Sequence, residues 1–150
     1  MNIPGHIAIA LVQHRLPPYG RFFRGNGKEF VLPLLTASLF PDIVDKTIGY
    51  ILHLMPNGRH YAHNIFSLMA SSLLMTLIWG KVAGYGWFTG YLGHLLSDSN
   101  KMVPWFFPLR HYIFEPGKGI RFKPKQLIRE ITFLGLVLMI HHLSQSNKMD

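Results

Sequence analysis

The chain has no cysteine, and only seven of its 150 residues are acidic. The first absence excludes disulfides, thiolate nucleophiles and every cysteine-based zinc or iron–sulfur site, so any metal has to be held by histidine and carboxylate. Charge is scarce altogether: Asp, Glu, Lys and Arg make up 15% of the residues, against roughly a quarter in soluble domains. Strand signals are lacking too. No stretch alternates apolar and polar residues with a period of two, and there is neither a defensible repeat nor a low-complexity segment. The apolar run at residues 7–12 has no basic region before it and no small-residue cleavage site after it, so it reads as helix rather than as a signal peptide.

What the chain does have is apolar bulk, histidine and positive charge. Hydrophobic residues account for 49%, there are nine histidines, and the net charge is +8. The length suits a single domain over residues 1–150. A basic chain suggests nucleic acid or an anionic membrane surface as partner. The long uncharged stretches favour membrane lipid, and no polar lysine-rich helix offers itself to a groove, so nucleic acid is not expected. The basic run Lys118, Arg121, Lys123, Lys125 and Arg129 reads as the cytoplasmic flank of the last helix under the positive-inside rule.

The pattern predicts an all-α fold, a bundle of about five helices embedded in or attached to a membrane. A short helix starts near Pro4. Residues 14–29 form a loop rich in Gly and Pro, whose Tyr19, Phe22 and Phe23 among basic residues suit the headgroup level as well as an ordinary surface. A helix over 30–40 is broken by Pro41, and Asp42 caps a second helical segment over 43–55. Pro56-Asn57-Gly58 is a turn signal. Helices over 64–79 and 87–97 flank a hinge at 80–86, and a last helix covers about 124–143 after a second loop. A membrane span needs about 20 apolar residues. The uncharged runs 65–79 and 131–143 hold 15 and 13 residues, so flanking aromatic and snorkelling basic residues have to extend them.

Six polar residues lie inside or at the ends of these apolar helices: His6, Asp42, Asp45, His63, His94 and Asp98. Burying such groups is costly unless they are paired or coordinate a metal. The spacing of His94 and Asp98 puts both on one helix face, one turn apart. Asp42 and Asp45 share a face as well and repel each other unless a cation lies between them. His60 and His63 are one turn apart, and Arg59 beside them suits a phosphate or acidic group. The bland alternative makes each an ordinary cap or a satisfied core histidine. Zinc accepts His nitrogen and Asp oxygen, and one or two zinc ions would account for the set.

In Gly5-His6, Leu39-Phe40-Pro41-Asp42-Ile43-Val44-Asp45, Arg59 to His63, Gly90 to Asp98 and Trp105-Phe106-Phe107-Pro108, the chain resembles the membrane-bound, metal-dependent hydrolases of the LexA-regulated bacterial inner-membrane (YdjM-type) family. The resemblance implies a helical domain in the inner membrane with a metal site of His6, Asp42, Asp45, His63, His94 and Asp98. The order of ligands is also distantly similar to zinc-dependent phospholipase C, which suggests phosphoester hydrolysis. Two departures stand out. Gly58-Arg59-His60 and Ala62-His63-Asn64 replace the family's His-Arg-Gly and Thr-His-Ser, and no C-terminal His-x-x-x-Glu is present.

On this reading His63, His94, Asp98 and Asp42 bind one ion, while His6 and Asp45 bind a second or orient the first. Asp45 takes the proton from water and Arg59 stabilises developing negative charge on an ester or phosphoester. The alternatives are a non-catalytic integral membrane protein with a structural metal site, and haem held by His63 and His94, against which the adjacent acids argue.

Overall fold

Proline and glycine decide where these helices bend, and their effects differ from the sequence expectation. The computed structural model describes residues 2–15, 27–99, 103–114, 116 and 123–146, and for residues 141 and 144–146 only the backbone. Among them are four α-helices and no strand: α1 (Ile3–Arg15), α2 (Gly27–Lys46), α3 (Ile65–Ser97) and α4 (Pro124–Ser146). The all-α class is as expected, with four helices where about five were expected. The expected interfacial aromatics Tyr19, Phe22 and Phe23 lie outside the described residues, as do Lys118 and Arg121 of the basic run.

Pro41 does not break its helix. α2 runs through Pro33 and Pro41 to Lys46, so Asp42 sits within a helix already under way and caps nothing. A proline removes one intrahelical donor and displaces carbonyls of the preceding turn. The acceptor freed at Pro41 is the Ala37 carbonyl, four residues back; the next carbonyl, that of Ser38, accepts from His94 Nδ1. The helix expected over 43–55 is also shorter. α2 passes into one π-helical turn, Thr47–Ile51, closed by the Leu52 N–H on the Thr47 carbonyl at 2.9 Å. Irregular chain then returns toward α2. At Gly49 a side chain would collide with the Asn57 carbonyl, so glycine permits the close return.

The expected hinge over 80–86 narrows to one residue. Gly80 has φ 87° and ψ 173°, and residues 81–97 are helical. The two arms of α3, residues 65–79 and 81–97, fold back on each other. Trp87 Nε1 donates to Ser71 Oγ at 3.0 Å, the Tyr91 hydroxyl donates to the Ala62 carbonyl at 2.6 Å, and a Cβ on Gly84 would lie 2.8 Å from Thr76 Cβ. On a straight helix, residues 16 apart stand about 24 Å apart.

The second arm runs parallel to α2 in a fixed register. Gly86 faces the Phe30 carbonyl and Gly90 the Leu34 carbonyl, each so closely that a Cβ would strike the oxygen. One turn further, His94 reaches the Ser38 carbonyl. Each partner is 56 positions away. α1 runs antiparallel to the same arm, with His6 at Ser97 and Gln13 at Thr89 and Gly93. α4 runs alongside α1: Glu130 accepts the Asn2 N–H, and Arg15 donates to the Ile140 carbonyl. One end of the bundle therefore gathers the start of α1, the end of α2, both ends of α3 and the start of α4. The opposite end holds the Gly80 fold.

Candidate metal centre

At the crowded end, Asp42 from α2, His63 from the loop before α3, and His94 and Asp98 from the end of α3 turn inward. Each offers one ligand atom, and all four atoms lie within 4.8 Å of one another. His63, His94 and Asp98 side chains are fully buried and Asp42 is 6% exposed. His63 Nε2 stands 3.6 Å from Asp42 Oδ1, and His94 Nε2 4.0 Å from the same oxygen. His6 joins from α1. Its ring stacks on His94 at 4.0 Å, and its Nε2 lies 3.8 Å from Asp42 Oδ2 and 4.0 Å from Asp98 Oδ1.

The tautomers follow from what each Nδ1 touches. His94 Nδ1 lies 2.7 Å from the Ser38 carbonyl, which only accepts, so Nδ1 carries the hydrogen. His63 Nδ1 lies 2.8 Å from Asp45 Oδ2 and donates likewise. In the neutral rings both Nε2 atoms are then bare, and they face each other at 3.2 Å. Two lone pairs at that distance repel unless a proton or a cation lies between them. His6 Nε2 and Asp42 Oδ1, also buried, have no hydrogen-bond partner. Zinc bonds of about 2.0–2.2 Å put tetrahedral ligand atoms roughly 3.4 Å apart, close to the spacings around this gap. The donor set thus fits a divalent cation, and the anchoring of each imidazole through its other nitrogen is the arrangement metal-ligating histidines need.

Asp45 stands outside the group of four. Its Oδ2 accepts the His60 N–H (2.6 Å), the His63 N–H (3.2 Å) and His63 Nδ1, and its Oδ1 accepts the Ala62 N–H at 2.9 Å. It holds the 60–63 loop in place and orients His63, the second of the two roles expected for it. Three of its four donors are on Oδ2 and one is on Oδ1. Arg59 forms a salt bridge with Asp98 Oδ2 at the rim, and Lys46 does so with Asp42 Oδ2. Burial by itself lowers the pKa of His63, but the hydrogen bonds and charges of Asp42 and Asp45 raise it above the ordinary histidine value.

His60, three residues earlier, is fully buried with neither ring nitrogen partnered. It packs edge-on to Phe114 at 5.2 Å and takes no part in the cluster. His111 and His142 are exposed. Asn64 caps α3 by accepting the Ser67 N–H at 2.9 Å, and its amide also ties down the His60 and Tyr61 carbonyls.

Sequence reading missed four contributors. Lys46 is four residues after Asp42, a helical pairing distance. Ser97, which meets His6 Nδ1 at 3.2 Å, lies inside the His94–Asp98 motif. The register of α2 against α3 is written as Gly86, Gly90 and His94 at steps of four: two small residues that allow backbone approach, then a side chain that reaches the next carbonyl in line. The Ser38 carbonyl leaves no side-chain signal at all.

The sequence profile of the YdjM inner membrane protein family matches residues 1–148. No curated protein and no solved structure matches the chain. With nearly its whole length covered, the chain belongs to the YdjM inner membrane protein family.

Proposed function

We propose that this inner-membrane chain is a metal-dependent hydrolase acting on a phosphoester or other ester at the membrane surface. The observation that carries the reading is the convergence of His63 Nε2 and His94 Nε2, 3.2 Å apart, with the carboxylates of Asp42 and Asp98. A divalent ion such as zinc, when bound, supplies Lewis acidity and brings the pKa of water to about 7. Asp42, His63, His94 and Asp98 hold it, with His6 as a fifth donor. These donors surround one gap, which favours a single ion over two. Asp45 keeps His63 in the required tautomer. Asp45, expected as the proton acceptor, already accepts three hydrogen bonds on Oδ2 and one on Oδ1, so it serves the reaction through the orientation of His63. Lys46 and Arg59, 36% and 22% exposed, present positive charge to an anionic substrate group on the solvent side. A lipid ester or a small soluble one would meet them there.

A second reading has one observation in its favour. The group of four is almost closed to solvent, as structural metal sites are. On that reading the ion only fixes the fold.

Elemental analysis of detergent-purified wild type, His94→Ala and Asp98→Ala tests the common premise. Bound metal in the wild type and its loss in both variants is expected, and equal content in all three overturns the site. Hydrolysis of chromogenic phosphomonoesters, phosphodiesters and carboxylic esters, with and without chelator, separates the two readings. Chelator-sensitive turnover supports the hydrolase. Stable metal content without turnover on any of the three ester classes supports the structural ion.

A further inference from the structure

Of the described helices only α3 is long and apolar enough to cross a membrane by length and composition. Taken as one rod it would place its two ends on opposite faces of the bilayer. The backbone forbids that. Gly80 leaves the helical region at φ 87°, ψ 173°, and the Trp87–Ser71 and Tyr91–Ala62 hydrogen bonds, with the close approach of Gly84 to Thr76, hold the two segments together. We propose that α3 enters the inner membrane as a hairpin that crosses twice, with lipid acyl chains against the outer side of residues 65–79, so that the metal cluster at both of its ends stays on one face.

Four features carry this. The chain belongs to an inner-membrane family. The outer side of the first arm exposes Met69, Leu73, Leu77, Ile78 and Trp79, between 56% and 74% of each, and no charged residue interrupts residues 65–79. Such a surface has no stable place in water at this size. The buried polar residues of the second arm, Thr89 and His94, lie against α1 and α2. Finally, Trp79 and Lys81 flank the fold at Gly80, and these residue types settle at the membrane–water boundary. The arms are about 22 and 25 Å long, somewhat short of a hydrocarbon core of about 30 Å, and tolerable with a snorkelling lysine at the tip and local thinning.

The absence of cysteine makes the test direct. Single substitutions Pro56→Cys and Ser99→Cys, both at exposed positions beyond the two ends of α3, and Lys81→Cys at the tip, are labelled with a membrane-impermeant maleimide in right-side-out and inverted membrane vesicles. Pro56→Cys and Ser99→Cys are expected to react from the same side and Lys81→Cys from the other. Reaction of Pro56→Cys and Ser99→Cys from opposite sides means a single crossing and overturns the proposal. So does reaction of all three from one side, or a tip that reacts only after detergent is added. A second measurement does not depend on the labels. The pair Thr76→Cys with Gly84→Cys, whose Cβ atoms would lie 2.8 Å apart in the unaltered backbone, reaches the 3.5–4.5 Å of a disulfide once the arms part by about 1 Å. Oxidation in intact membranes is expected to convert more than half of this protein to the internally cross-linked form. A Thr76→Cys/Gly84→Cys protein that stays reduced while remaining folded overturns the fold-back itself.

Discussion

The two arms of α3 are nearly equal in length, nearly free of charge and adjacent in sequence, yet they face opposite surroundings. Residues 65–79 carry large apolar side chains that are mostly exposed, with Leu68 and Ser72 the buried exceptions. Residues 81–97 bury Ala83, Thr89, Tyr91, His94 and Leu95 together with four glycines, Gly84, Gly86, Gly90 and Gly93. In water the larger hydrophobes would be the ones buried. Next to lipid, burying Leu gains little, and close approach of backbones decides which helix lies inside. The inner arm is therefore recognised by its small residues, and the same small residues set the depth at which His94 meets Ser38.

The sharpest way to break that comparison is to give the inner arm a side chain typical of the outer one. At Gly90 a Cβ would strike the Leu34 carbonyl, which is backbone and cannot swing away. Gly90→Leu is expected to destabilise the protein by on the order of 3 kcal/mol, read as thermal unfolding in detergent. It should also lower metal content, since the shifted register carries His94 away from Ser38. Unchanged stability in Gly90→Leu means that the arm does not pack on α2 as described.

How far the sequence alone discloses this arrangement depends on whether the governing interaction is local. His94 and Asp98 were legible because one helical turn fixes their separation whatever surrounds them. Asp42 and His63 were legible as costly polar residues in apolar surroundings. Orientation of a ligand was one of two roles legible for Asp45, but its hold on the 60–63 loop was not, because those partners are backbone N–H groups, and backbone donors leave no mark in the sequence. Pro41 misled because its usual local effect, ending a helix, is not realised: α2 runs through it to Lys46. Gly80 was read within a seven-residue hinge, since composition shows where a bend is permitted but not which residue takes the positive φ.

The loop that meets the inner arm offers a smaller perturbation. Asn at position 45 keeps the size of the side chain but presents an amide donor to backbone N–H groups and withdraws charge from His63. Asp45→Asn is expected to weaken metal binding by about 10- to 100-fold, measured by competition with a chromogenic chelator, with the helical content retained. An affinity equal to wild type shows that His63 is held by its own loop and not by Asp45.

Within that loop His60 and His63 form their own contrast: both are buried, but only one has partners. His60→Phe removes two unsatisfied nitrogens and keeps an aromatic ring against Phe114, so a gain of roughly 1 kcal/mol is expected near neutral pH. Burial lowers the pKa of His60, with Asp45 offsetting part of the shift. A depressed folded-state value contributes stability that is complete above the unfolded pKa of about 6.5 and is lost as pH falls toward the folded value. Wild type should therefore lose stability on acidification below that pH more steeply than His60→Phe. Parallel pH profiles for the two proteins show that His60 titrates as it does in the unfolded chain.

The smallest expected effect lies on the outer arm. Leu77 is 74% exposed on the lipid-facing side of residues 65–79. Truncation there exchanges leucine–lipid contact for lipid–lipid contact, and no protein cavity opens. Leu77→Ala is expected to change unfolding in detergent by less than about 0.5 kcal/mol, whereas Leu68→Ala, on the buried side of the same arm, should cost on the order of 2–5 kcal/mol. The pair isolates the side of the helix from the identity of the residue, since the chemistry removed is the same. If Leu77→Ala proves as costly as Leu68→Ala, then protein and not lipid covers that face. In that case the outer arm belongs to an interface between chains, and glycine content no longer separates inside from outside.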